Sequence, residues 1–143
     1  MSDKDDLIQG LNEDLSYEYA AVITYRTYAS QLKGQARVEL RAFFESEIPD
    51  ELGHAQILAD KIVALGGRPT TEAKPVKAAD TSKEMLENAL EDEIDAIKRY
   101  VARRKMAEEL EEHGLAVDLD DLIRDESNHR DEIRLILQRW DGR

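Results

Sequence analysis

Cysteine is absent from this 143-residue chain. That excludes disulfides, thiolate zinc sites and iron–sulfur centres, and it fits a cytoplasmic protein. Glycine and proline are scarce, 7 and 3 residues, so little interrupts helix formation. Positive charge is outnumbered: 20 Lys and Arg face 32 Asp and Glu, a formal charge of −12. The balance argues against nucleic acid and against an anionic membrane surface as partners. It suits a solvated acidic exterior, or a protein that attracts cations. No apolar run approaches membrane length, and the opening Met1-Ser2-Asp3-Lys4-Asp5-Asp6 is not a signal peptide. The length predicts one domain, 1–143, with a real hydrophobic core.

What is present is helical periodicity. Residues 3 to about 32 carry Leu7, Leu11, Leu15, Val22, Tyr25, Ala29 and Leu32 at steps of three and four, or their multiples. The seam has one gap, which Glu18 fills. After the turn Lys33-Gly34-Gln35, residues 36 to about 65 repeat the pattern with Leu40, Phe44, Ile48, Ala55, Leu58, Ile62 and Leu65. Their acidic slot is Glu51, with His54 beside it. Pro49 predicts a kink or local break, which either aims Glu51 or is a bend held by packed neighbours. Gly66-Gly67-Arg68-Pro69 ends this helix, and residues 68 to about 80 read as an extended crossover.

Thr81 or Ser82 caps a third helix with Leu86, Leu90, Ile97, Tyr100, Ala107 and Leu110 in its seam and Glu93 in the gap. His113-Gly114 closes it, with His113 as a charge against the helix dipole. A fourth helix, about 118–140, carries Leu119, Ile123, Ile133, Leu137 and Trp140, with Glu126 and His129 in its polar slot. Three residues follow Trp140, so no fifth helix is expected.

The chain thus holds one pattern twice: Glu18 and Glu51-x-x-His54, then Glu93 and Glu126-x-x-His129, offset by 75 residues. Leu15 matches Leu90, Tyr25 matches Tyr100, Asp50 matches Asp125 and Leu58 matches Ile133. A duplicated helical hairpin joined by a long crossover makes an all-α, antiparallel four-helix bundle. Four seam glutamates would place four negative charges in its core. A buried unpaired carboxylate costs several kcal/mol or protonates. Two divalent cations would neutralise the set, and two neutral imidazoles would complete their coordination. Carboxylates and imidazoles suit iron or manganese, and zinc would also bind. Carboxylate-bridged two-electron chemistry points to iron. Asp50 and Asp125 are either acceptors for the N–H of the opposite histidine or surface aspartates. Tyr25 and Tyr100, two turns after Glu18 and Glu93, either donate electrons or hydrogen bonds at the site or are plain core aromatics.

With Glu18, Glu51-x-x-His54, Glu93, Glu126-x-x-His129 and Tyr25 in place, the chain resembles the ferritin-like di-iron superfamily, most closely its bacterioferritins. The resemblance spans nearly the whole chain. It implies a ferritin-like bundle in which Glu18 with His54 holds one iron and Glu93 with His129 the other. Glu51 and Glu126 would bridge them. It implies oxidation of Fe(II) to Fe(III) by O2 or H2O2, and in storage members a ferric mineral inside a cage. Two departures matter. Bacterioferritins bind haem through a methionine directly after the first E-x-x-H glutamate, and here that residue is Leu52, so no haem is expected. The family's short fifth helix is also missing, which puts a 24-subunit cage in doubt. Rubrerythrin-type relatives usually carry a four-cysteine domain, and DNA-protecting miniferritins place their site between subunits; neither pattern fits. Two functions follow: a ferroxidase serving iron storage or detoxification, or a dimeric di-iron oxidoreductase without a mineral. A third, a helical module with structural metals, is weaker. Phe43, Tyr19 and Tyr28, read as exposed, predict a homo-oligomer, a dimer at least, with a face along the first two helices.

Overall fold

The computed structural model describes residues 2–140. Among the described residues there are four helices: α1 (Asp3–Gln31), α2 (Arg37–Ala64), α3 (Ser82–Glu109) and α4 (His113–Leu137). Ser2 caps α1 through a reciprocal bond pair with Asp5, and Thr81 caps α3 by accepting from the Glu84 N–H. α2 ends as its glycines require. Gly66 takes φ 92°, and the Gly67 N–H reaches the Ile62 carbonyl at 2.8 Å.

The crossover explains the topology. It leaves the end of α2 and climbs the length of α1, bonded to it at each stage. Asn12 holds the backbone of Arg68 and Thr70, the Lys74 N–H donates to the Ser16 carbonyl, and the Tyr28 hydroxyl donates to the Lys77 carbonyl. α3 therefore starts at the far end of α1 and runs antiparallel to it. The result is an antiparallel four-helix bundle with its long connection between α2 and α3.

The core is divided. One apolar layer is built on Leu11, Leu58, Tyr100 and Leu119. The other is built on Tyr28, Phe44, Leu86 and Ile133. Each fully buried aliphatic or aromatic side chain contributes about 1.5–3 kcal/mol, so both ends of the bundle are held apolar and rigid. Between them lies a polar layer, at the middle of all four helices.

Several sequence expectations change in detail. Pro49 does not break α2, which is continuous through it. Tyr28 is not a surface residue: it is 1% exposed, against Phe44. Phe43 and Tyr19 are half-buried. α4 starts at His113 rather than near 118, so His113 lies at a helix N-terminus instead of closing α3. The chain turns at Glu111, which takes φ 58°, while the Glu112 N–H reaches the Ala107 carbonyl at 2.9 Å. This is the glycine-type helix end, made by a glutamate, with Gly114 carried inside the next helix. Trp140 lies beyond the end of α4, half-buried against the second apolar layer.

Candidate metal centre

Glu18 of α1, Glu51 and His54 of α2, Glu93 of α3, and Glu126 and His129 of α4 meet in the polar layer, all buried. The three-residue spacing within α2 and within α4 puts each carboxylate and imidazole on one helix face. The six form two overlapping groups, Glu18-Glu51-His54-Glu126 and Glu51-Glu93-Glu126-His129, with ligand atoms within 4.8 Å of one another in each. Glu51 and Glu126 belong to both. His54 Nδ1 lies 3.6 Å from Glu18, 3.7 Å from Glu51 and 3.3 Å from Glu126. His129 Nδ1 lies 3.6 Å from Glu93, 3.7 Å from Glu51 and 3.5 Å from Glu126.

Each of these six side chains holds one buried atom without a hydrogen-bond partner: Glu18 Oε2, Glu51 Oε1, His54 Nδ1, Glu93 Oε2, Glu126 Oε1 and His129 Nδ1. Buried polar groups are rarely left unpaired, because each costs about 1–3 kcal/mol. Six together, all carboxylate oxygens or imidazole nitrogens, fit a pair of hard-to-borderline divalent cations.

The opposite ring nitrogens are held from outside. His54 Nε2 faces Asp125 at 2.9 Å and His129 Nε2 faces Asp50 at 3.1 Å. Each histidine is thus oriented by the aspartate next to the other hairpin's glutamate, an arrangement that directs Nδ1 inward. The tyrosines also cross over. The Tyr25 hydroxyl donates to Glu93 Oε1 at 2.5 Å, and the Tyr100 hydroxyl donates to Glu18 Oε1.

Without metal, protons supply the counter-charge. Burial pushes the Glu51 carboxyl well above its usual range, reinforced by the charges of Glu126, Glu18 and Glu93. Burial also raises Glu93 well above that range, with Glu126 beside it adding to the effect. Burial opposes ionisation of Glu126 too, but contacts from Glu93, His129 and His54 outweigh it and hold this carboxyl well below the usual value. Burial disfavours a charged His54, yet the Glu126 and Glu18 oxygens overcome it and raise its pKa to about 11. His129 is pushed up in the same way, against burial, by Glu126, Glu47 and Glu93. Tyr25 and Tyr100 are raised well above 10 by burial and by the carboxylates they touch.

Two buried features escape the sequence pattern. Glu47, 5% exposed, lies 2.6 Å from His129 Nε2. Asp14, 1% exposed, is gripped by Arg103 through two bonds of 2.8 and 3.1 Å, with Arg99 Nε at 3.8 Å. Gly10 makes room for that grip, since a Cβ there would stand 2.1 Å from Arg103 Nη1. A signal existed for both: Glu47 and Asp14 each lie four residues, one helical turn, before a seam glutamate. A cavity of about 200 Å³ opens between α1, α3 and the crossover. Small side chains, Ala20, Ala21, Ala89 and Ala96, leave its space, and its floor is Glu18, Glu51, Glu93 and Glu126.

A bundle of this topology with two E-x-x-H helices around a shared carboxylate layer defines a class of di-metal protein. The chain belongs to the ferritin-like family, whose domain model matches residues 8–142. It is similar to a crystal structure of a ferritin-like, diiron-carboxylate protein from Bacillus anthracis str. Ames. The two are 49% identical, with a TM-score of 0.94 over 96% of this chain and 99% of the other. It is also similar to the bacterioferritin BfrA of Mycobacterium tuberculosis, 28% identical over 95% of this chain and 86% of that protein. The crystal structure of that BfrA superimposes with a TM-score of 0.87 over 93% of this chain and 83% of the other. The bacterioferritin of Brucella melitensis is 29% identical over 87% of this chain and 78% of its own length.

Proposed function

We propose that this protein oxidises Fe(II) to Fe(III) at a paired-metal centre, with O2 or H2O2 as oxidant, in the service of iron storage or detoxification. The six unpartnered donor atoms carry the reading. In it, Glu18 and His54 would hold one ion, Glu93 and His129 the other, and Glu51 and Glu126, which belong to both groups, would be shared. Iron bound there would supply one electron from each ion to the oxidant. Asp125 and Asp50 fix the imidazoles with Nδ1 toward the ions. Tyr25 and Tyr100 hold the terminal glutamates by their hydroxyls and stand as the nearest phenols for electron or proton donation. Manganese or zinc would occupy the same donors. Leu52, which is exposed, offers no haem ligand.

Supporting a homo-oligomer, a dimer at least, are exposed apolar side chains at Ile23 of α1 and at Val38, Leu52 and Val63 of α2. Among the described residues no helix is long and apolar enough to cross a membrane.

The cavity favours a second reading. Its 200 Å³ gives a small organic substrate room above the carboxylates, as a dimeric di-iron oxidoreductase would need. An aerobic Fe(II) titration of metal-free protein separates the two, following ferric absorbance and oxygen uptake and then sizing the product. Oxidation that continues well past about two irons per chain supports the ferroxidase. Oxidation that stops there on a small oligomer supports the alternative, and no oxidation at all refutes both.

A further inference from the structure

The duplication makes the two halves of the centre comparable residue by residue, and they differ outside the ligands. Shifted by 75 residues, Glu47 corresponds to Leu122, a buried apolar side chain. His54 Nε2 therefore meets one carboxylate, Asp125, while His129 Nε2 meets two, Asp50 and the buried Glu47. One N–H cannot satisfy both. Asp50 takes the hydrogen bond, and Glu47 Oε2 is left buried beside it without one.

The other half carries a different cluster. Asp14 lies one turn before Glu18, and Arg103 lies one turn after Tyr100, whose hydroxyl holds Glu18. With Arg99 and Glu13 also beside this pair, two positive charges meet two negative, so the cluster near the Glu18 position is balanced within itself. The Glu93–His129 position thus gains a buried carboxylate behind its imidazole that the Glu18–His54 position lacks. This difference favours a cation at the first.

We infer that the two metal positions are inequivalent: the Glu93–His129 position fills first and binds more tightly, with Glu47 as the positioning residue that sets the order. The inference rests on the paired-metal reading above. A carboxylate behind a ligating histidine strengthens that histidine as a donor, and losing such a partner costs about 10- to 100-fold in metal affinity.

The test is an anaerobic Co(II) titration of metal-free protein, reading visible absorbance and heat. Wild type should show two steps. His129→Ala should remove the tight step, and His54→Ala should remove the weak one. Glu47→Leu, which makes the halves alike at this position, should weaken the tight step by about tenfold, the low end because Asp50 still holds His129, and draw the two together. Glu47→Gln keeps the shape without the charge and should do the same, which separates a role in binding from one in packing. If His129→Ala and His54→Ala lose the same step, or if Glu47→Gln leaves the steps apart, the inequivalence is refuted while paired binding stands. A third Co(II) per chain that disappears with Glu47→Gln would also refute it, because Glu47 would then be a ligand. Absence of Co(II) binding in wild type would instead refute the paired-metal reading itself.

Discussion

Metal loading of this protein should release protons and grow stronger with pH. The metal-free centre is neutralised by hydrogen ions at four groups: His54, with a pKa of about 11, His129, also pushed up, and the raised carboxyls of Glu51 and Glu93. Cations need the same atoms deprotonated. At pH 7 both imidazoles must lose a proton, and the two carboxyls add up to two more, depending on how far their raised values stand above 7. Loading with two divalent ions should therefore release between two and four protons per chain. Each released proton raises the apparent binding constant about tenfold per pH unit. Calorimetry of Zn(II) binding in buffers of different ionisation enthalpy counts them directly. Release of fewer than about one proton would refute the charge state assigned to the metal-free centre.

The same groups fix how the metal-free fold responds to pH. His54 has a folded pKa above its unfolded value near 6.5, so its contribution is complete below about 6.5 and is lost as pH rises through about 11. Glu51 and Glu93, with raised carboxyls, act in the same direction at lower pH, stabilising while protonated and losing that contribution as pH rises through their folded values. Glu126 acts oppositely, but only as pH falls through a value well below the usual one. The metal-free protein should thus lose stability from neutral toward alkaline pH while the metal-induced rise in Tm grows. A metal-free Tm that climbs over that interval would contradict this account.

Four further outcomes follow from particular contacts. Glu51→Ala combined with Glu126→Ala should abolish paired-metal binding while the bundle still folds, and the metal-free variant should melt lower than wild type because His54 and His129 lose the carboxylate that pairs with both; unchanged metal stoichiometry would sink the bridging assignment. Tyr25→Phe should cost about 1–2 kcal/mol in denaturant unfolding by stranding a Glu93 oxygen, with two metals still bound per chain; loss of binding would make Tyr25 a ligand. Arg103→Ala should cost about 3 kcal/mol, the low end for breaking a buried pair because Arg99 remains near Asp14. Gly10→Ala, which in an exposed helix would stabilise by about 1 kcal/mol, should instead destabilise by displacing Arg103, and a raised Tm would show that the pair contributes nothing.

The bundle was legible because each helix carries an apolar stripe long enough to show its period, and the centre because its ligands interrupt those stripes at matched places. Helix ends at glycines were legible for the same reason that glycine favours positive φ. The end of α3 was not: Glu111 takes φ 58° with no residue type to announce it, so the boundary drifted to Gly114. Tyr28 was legible as well: it lies three residues after Tyr25 and four before Leu32, on the same buried stripe of α1, where the crossover accepts its hydroxyl at Lys77.

Duplication itself both reveals the centre and conceals its asymmetry. Matching the halves at an offset of 75 finds the residues that stayed the same, Glu18 with Glu93 and His54 with His129. It passes over Glu47 and Asp14, whose counterparts, Leu122 and Ala89, are apolar. In an acidic chain a lone unmatched carboxylate reads as surface charge; the one-turn spacing to a seam glutamate points inward, and burial decides it. Yet unmatched buried charges are the ones that can distinguish two otherwise identical metal positions, because every matched group acts on both alike. The residues most informative about order of loading are therefore those that the repeat cannot predict.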